Sequence, residues 1–295
     1  MNRAFSGFHP WVSVCFFAAV LGVTMTLTHP VFLALSVCGA AACLWTLRGR
    51  KGMAAWKFIT PLLLLTAALN PVFNHEGATI LRYLPDGNPL TAESILYGVA
   101  AAGMLTASLL WFLCLSEVMT SDKVVYLFGR VIPALSLLLS MTLRFIPRLK
   151  NQARVISNAQ VCIGRGTSEG NLLTRARHTL TLFGMLLTWA FESAISTADS
   201  MKSRGYGLPG RSAFSLWRFD RRDAVMLSFI ALCTGAVILG CASGQFAWRY
   251  YPLVSGTLTG IVPVLLYILY AALCFLPVGV ELWEARKWRA LRSAI

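Results

Sequence analysis

Two arginines in matching frames are the first residues whose type and spacing could do chemistry. Arg165 lies in AQVCIGRG (159–166) and Arg204 in ADSMKSRG (198–205), so the pattern Ala-x4-small-Arg-Gly occurs twice at a fixed offset of 39 residues. A guanidinium is a planar fork of donors that holds a carboxylate bidentately, which the lysine ammonium does not do. A glycine just past a helix accepts the left-handed conformation that closes it, and an arginine in the last turn gains about 0.3–1 kcal/mol from the helix dipole. Both segments therefore read as helix C-termini, with Gly166 and Gly205 as the closing glycines. Capping accounts for each ending alone. Its duplication points further, to two rigid pegs for two equivalent receptors on a two-fold partner, a mechanical contact and not a catalytic one.

Other chemistry is sparse. No Gly-x4-Gly-Lys-[Ser/Thr] occurs, so no nucleotide cofactor is expected on this chain, and any ATP and Mg belong to another polypeptide. His9, His29, His75 and His178 show no metal-ligand spacing, and no metal site is expected. His75 beside Glu76 reads as a solvated loop or helix cap. Of the eight cysteines, all but Cys162 fall in apolar runs, where a free thiol behaves as a small hydrophobe. A polytopic enzyme acting on a lipid or isoprenoid is the alternative, and it would have to recruit Glu192, Asp199 and His178, which no motif links.

The elements that carry the arginines follow from composition. The chain is 57% apolar and only 13% charged, against about 25% charged in soluble domains. Six uncharged stretches, 11–28, 31–47, 58–73, 94–116, 224–243 and 253–280, approach or reach the length of about 20 residues that crosses a bilayer. Pro61 makes the bounds of the third the least defined. The fold class expected is all-α, a polytopic membrane protein of about six transmembrane helices, divided as 1–116 (four spans), 117–222 and 223–295 (two spans and a basic tail). With the N-terminus inside, all 26 lysines and arginines except Arg82 and Arg249 fall on the cytoplasmic side. That pattern expects both termini in the cytoplasm. It also explains the net charge of +14 by topology and excludes a nucleic-acid partner. Spans without ionisable groups disfavour an ion-coupled carrier. Gly240/Gly244 and Gly256/Gly260 read as helix-packing pairs.

Residues 117–222 are too long for a plain connection and too apolar for a soluble domain. Phe183, Leu187, Ala190, Ala194, Ile195, Ala198 and Met201 recur at helical spacing, with Ser193, Ser196, Asp199, Ser200 and Ser203 around the rest of the circumference. The apolar face suits lipid or another helix, and Gly184, Ala190, Ala194 and Ala198 favour close helix packing. In SMTLRFIPRL (140–149), Pro147 is expected to kink or restart a helix beside Arg144.

SMTLRFIPRL, AQVCIGRG and ADSMKSRGYG (198–207), with NPVFNHEG (70–77) and LTAESILYG (90–98), resemble the transmembrane T component of energy-coupling factor transporters, a class of ABC importer. The likeness runs through most of 57–222 and more loosely beyond. It implies a scaffold in the plasma membrane whose long cytoplasmic coupling helices dock two ABC ATPases. It also implies a separate small membrane S component that binds a vitamin or metal ion. On that resemblance Arg165 and Arg204 are the docking residues, Gly164, Gly166, Ser203 and Gly205 shape the helix ends, and Arg144 and Pro147 set coupling-helix geometry. The family usually has Ala before the first arginine, where this chain has Gly164, a poorer helix former by about 1 kcal/mol.

Overall fold

The structure, a computed structural model, describes residues 5–83, 88–166, 171–209, 217–256 and 260–293. In chain order its helices and strands are α1 (Pro10–Thr26), α2 (Pro30–Arg48), α3 (Trp56–Phe73), β1 (Ile80–Tyr83), β2 (Pro89–Thr91), α4 (Ala92–Val118), α5 (Ser121–Val131), α6 (Pro133–Cys162), α7 (Leu172–Ser203), α8 (Arg221–Ala242) and α9 (Ile261–Ser293). Short 3-10 turns precede α1 and join α2 to α3. Two compact units result: Met1–Thr120 with Trp217–Ile295, and Ser121–Leu216. The two outer stretches of the chain thus form a single body.

Among the described residues, six helices are long and apolar enough to cross a membrane: Pro30–Arg48, Trp56–Phe73, Ala92–Val118, Leu172–Ser203, Arg221–Ala242 and Ile261–Arg292. This set differs from the expected one at two places. The first apolar run forms a helix of only 17 residues, whereas α7 qualifies by length and composition. The last span begins at Ile261, not at 253, because Arg249 and Ser255 pair as an isolated antiparallel bridge ahead of it. The all-α expectation otherwise holds, with one antiparallel pair of short strands, β1 and β2, added between α3 and α4.

In the first unit, α1 and α2 begin the same way. His9 and His29 are N-caps whose Nδ1 accepts from the backbone N–H of Trp11 and Val31, each at 3.3 Å, and Pro10 and Pro30 occupy the first turn. Proline suits that position because its missing N–H would have no helical partner. The helices then pack around buried Phe16, Phe17 and Trp111, whose rings meet edge-on. A polar knot lies in this core. Trp111 Nε1 donates to Ser36 Oγ at 2.9 Å, and Thr24 Oγ1 lies 2.8 Å from Ser36 Oγ and 3.2 Å from the Tyr270 hydroxyl. It ties α1, α2, α4 and α9 together. Glycine allows the closest approaches: a Cβ on Gly39 would stand 2.7 Å from Cys274 Cβ, and one on Gly98 2.7 Å from the Ala67 carbonyl.

Pairings along the helices set their directions. Ser36 with Trp111 and Ala40 with Cys114 make α2 and α4 parallel, and Tyr267 beside His29 with Cys274 beside Gly39 aligns α9 with them. The start of α1 meets the start of α8 where the His9 N–H donates to Asp223, and Asp220 with Asp223 forms a capping box. Phe5 N–H donates to Glu281 near the far end of α9. One end of this unit therefore gathers His9, Arg48, Glu117, Asp220, Arg222, Asp223, Glu281 and Glu284. The opposite end holds His29, Asn74, Glu93 and Tyr251. Among the described lysines and arginines of the unit, only Arg82 and Arg249 belong to that opposite end, while Arg3 lies outside the described residues.

The second unit is α5, α6 and α7. The α5–α6 break falls at Ile132, which is extended (φ −135°, ψ 89°) because a residue before proline is driven out of the helical region. Ser136 Oγ closes the corner on the Val125 carbonyl at 3.0 Å. Pro147 does not restart the helix: α6 runs through it without interruption, and the restart is at Pro133. At about 1.5 Å per residue, α6 and α7 are each about 45–48 Å long.

Candidate docking site at two helix ends

Both arginines sit where a long helix stops, and both stops use the same backbone device. At the end of α6 the N–H of Gly164 donates to Val161 O (3.0 Å) and that of Arg165 to Gln160 O (2.9 Å), with Gly164 left-handed at φ 69°. At the end of α7 the N–H of Gly205 donates to Lys202 O (3.0 Å) and that of Tyr206 to Met201 O (3.0 Å), with Gly205 at φ 77°. Each is a complete Schellman closure. The register differs. The left-handed residue of the first motif is Gly164, not Gly166, so Arg165 lies two positions past the helix-capping frame that Arg204 occupies as C-cap.

One residue explains the shift. Ser203 tolerates the helix and resists the left-handed region, so α7 continues to Arg204 and closes on Gly205. Glycine at the equivalent position, 164, favours neither helix continuation nor a negative φ, and α6 closes there. The device itself is general: α8, which carries no arginine at its end, closes identically on Gly244 at φ 74°, with Gln245 N–H on Gly240 O. Capping chemistry thus accounts for the glycines, and the arginines are the feature that capping does not require.

The two side chains are exposed, as are Gly164 and Ser203. Ser203 Oγ turns back to Ser200 O at 2.9 Å. Gly166, by contrast, is buried, and its carbonyl lies 3.1 Å from His178 Nδ1 on α7. A carbonyl only accepts, so Nδ1 carries the proton in this contact. The Arg165 turn is thereby pinned to the neighbouring helix. Further along, Trp189 of α7 is stacked on Phe145 (6.0 Å between ring centroids, 16° between planes) and capped by the Arg148 guanidinium at 5.6 Å. Exposed Arg144 and Pro147 lie in the same stretch of α6. Sequence reasoning missed Arg148, Trp189 and the His178 contact. The spacing of Phe145 and Arg148, three apart on one face, was the available signal.

Elsewhere the motifs are architectural. Gly77, at φ 143°, allows the chain to pass Glu93 and Thr91, either of which a Cβ there would approach to 2.7 Å. Glu93 accepts from Thr79 N–H and Oγ1, Thr91 Oγ1 donates to Glu76 O, and Asn74 Nδ2 donates to the Tyr251 hydroxyl at 3.0 Å. His75 and Glu76 thus belong to a loop, and no group of three or more metal-ligating side chains occurs among the described residues. Gly256 and Gly260 are outside any helix, and Gly244 is a cap; only Gly240 of the two expected pairs lies within a helix and packs closely, against Leu266 and Phe246.

The model of the CbiQ family, described as "Cobalt transport protein", matches residues 6–216. The chain belongs to the CbiQ family. It is similar to the energy-coupling factor transporter transmembrane protein EcfT of Bacillus selenitireducens, with 30% identity over 198 residues covering 64% of this chain and 72% of that one. EcfT of Thermosediminibacter oceani is 28% identical over 227 residues, or 73% of this chain and 81% of the relative. EcfT of Lactococcus lactis is 36% identical over 106 residues, 36% and 40% of the two chains. Family membership makes this chain a multi-pass membrane component of an energy-coupling factor transporter and indicates no cofactor on it. The enzyme alternative fails on both counts. The family is one of transporter components, and His178, Glu192 and Asp199 are strung along the single helix α7, about 31 Å from first to last.

Proposed function

We propose that the chain is the energy-coupling scaffold of its transporter. In this reading Arg165 and Arg204 dock two ABC ATPase subunits that bind ATP and Mg, and a small membrane S component carries a vitamin or metal ion. The observation that carries it is the pair of exposed arginines on Schellman-closed ends of two long helices, a placement that capping alone does not demand. Gly164, Gly166, Ser203 and Gly205 hold those ends, while Arg144 and Pro147 belong to the stretch of α6 that meets α7. The charge asymmetry between the two ends of the first unit supports a plasma-membrane orientation with both termini in the cytoplasm. The division into membrane stretches 1–116 and 223–295 around a coupling segment 117–222 belongs to the same proposal. The apolar side chains that α7 leaves exposed, Phe183, Leu187 and Ile195 among them, suit the S component.

Mechanically, closure of the ATPase pair on ATP moves the pegged ends, and stiff helices carry the displacement to the S component. A centrally placed arginine at an interface costs about 2–4 kcal/mol when truncated, and reversal adds repulsion. The test is the double variant R165E/R204E in the assembled transporter. Loss of uptake together with release of the ATPases is expected; a retained complex with unchanged uptake refutes the assignment.

A further inference from the structure

The last helix outruns the membrane. Residues 261–280 of α9 carry no Asp, Glu, Lys or Arg, and 20 residues span about 30 Å, the thickness of a hydrocarbon core. The helix continues to Ser293. Its first acids past that core are already engaged: Glu281 accepts from Phe5 N–H, and Glu284 lies 3.7 Å from Arg222. Beyond Glu284 no acid follows, and Arg286, Lys287, Arg289 and Arg292 are all exposed. Exposed Trp283 (65%) and Trp288 (55%) alternate with them, and the Lys287 ammonium lies 5.8 Å over the Trp283 ring. Tryptophan with lysine or arginine immediately outside a span is the composition of the headgroup layer.

Azimuth separates a lipid from a protein partner. At about 100° per residue, the four cations spread over about 220° of the helix circumference. A protein docking face would gather them on one side, whereas headgroups surround a helix that emerges through them. We propose that residues 282–292 form a collar that binds anionic phospholipid headgroups of the leaflet at this end of the first unit, with Arg286, Lys287, Arg289 and Arg292 on the phosphates and Trp283 and Trp288 among the glycerol groups.

The full chain, reconstituted in vesicles of equal phosphatidylglycerol and phosphatidylcholine and re-extracted in mild detergent, reports the collar through the lipid it retains. A phosphatidylglycerol preference of at least about fivefold is expected, the contribution of one cation near a surface. The preference falls in K287Q/R289Q and reaches parity in R286Q/K287Q/R289Q/R292Q, and high salt removes it from the wild type. Equal ratios for wild type and the fourfold variant overturn the proposal. Displacement of the lipid by inorganic phosphate at matched ionic strength overturns it in favour of a free-phosphate site. Unchanged lipid with loss of a co-purifying protein overturns it in favour of a protein partner.

Discussion

Arg165 and Arg204 stand on opposite sides of the left-handed glycine that ends their helices: Arg165 follows Gly164, whereas Arg204 precedes Gly205. The two motifs align in sequence at 39 residues, but their caps align at 41. The two arginines are therefore the same residue type on different backbones. Arg204 projects from the last turn of a helix, and Arg165 from the turn beyond one.

The register of the first cap can be moved. In G164A, holding alanine left-handed costs about 1–2 kcal/mol. Extending the helix to close on Gly166 avoids that cost and gives up only the His178 contact, worth about 0.5–1.5 kcal/mol. Extension wins. A structure of the variant is expected to show residue 164 helical, Gly166 at positive φ and Arg165 as C-cap, like Arg204. The double variant G164A/G166A leaves no glycine to close on and is expected to fray, read as faster amide exchange across 160–166. A left-handed alanine at 164 in the single variant contradicts this account.

Fork geometry and point charge separate in the lysine variants. If each arginine holds a carboxylate bidentately, R165K and R204K keep the charge and lose one of two parallel hydrogen bonds, a change of about 1.5–3 kcal/mol. ATPase affinity measured on the purified scaffold is then expected to fall about tenfold to a hundredfold for either variant. Unchanged affinity in both would reduce the contact to simple electrostatics.

Much of the fold was legible, for particular reasons. The bounds expected for α2, α3, α4 and α8 from uncharged runs lie within three residues of those observed, because charge and capping residues end a helix near the same place. The start of α9 is not legible, since an uncharged apolar run is equally compatible with a loop, and Gly256 packs against Trp248 ahead of the helix. The placement of Arg165 and Arg204 at helix ends was legible by repetition. The glycine that caps the first helix was not, since Gly164 and Gly166 flank Arg165 symmetrically and only the competition between helix propensity and left-handed strain chooses between them. The polar knot was hidden because Thr24, Ser36, Trp111 and Tyr270 come from four separate helices.

That knot has a measurable consequence. Trp111 is fully buried and its Nε1–H has Ser36 Oγ as acceptor. S36A leaves the donor without it, a cost of about 1–3 kcal/mol in water-soluble cores, whereas hydrogen bonds between membrane helices average about 0.6 kcal/mol. The lower figure governs, since the unfolded chain in lipid also finds partners. S36A is expected to lower resistance to denaturing detergent by about 0.5–1 kcal/mol. S36A/W111F, which removes both partners, is expected to fall short of the sum of the single variants. Additive losses would mean that the pair is not coupled.

The contact between His178 and Gly166 tests whether the Arg165 turn must be held. Glycine on both sides of Arg165 gives the turn freedom that the buried Gly166 carbonyl, 3.1 Å from His178 Nδ1, takes away. H178A removes the donor and leaves that carbonyl to water, at a cost of about 0.5–1.5 kcal/mol, with the turn free to sample other directions. H178N restores an N–H near the position of Nδ1 on a shorter side chain. Exchange of the Arg165 amide, bonded to Gln160 O at 2.9 Å, is expected to accelerate about twofold to tenfold in H178A and to recover in H178N. ATPase affinity at the α6 end is expected to follow the same order, while the α7 end, closed on Gly205, stays unchanged. If H178A accelerates exchange at Tyr206 as strongly as at Arg165, His178 supports the helix pair as a whole and not the turn that carries Arg165.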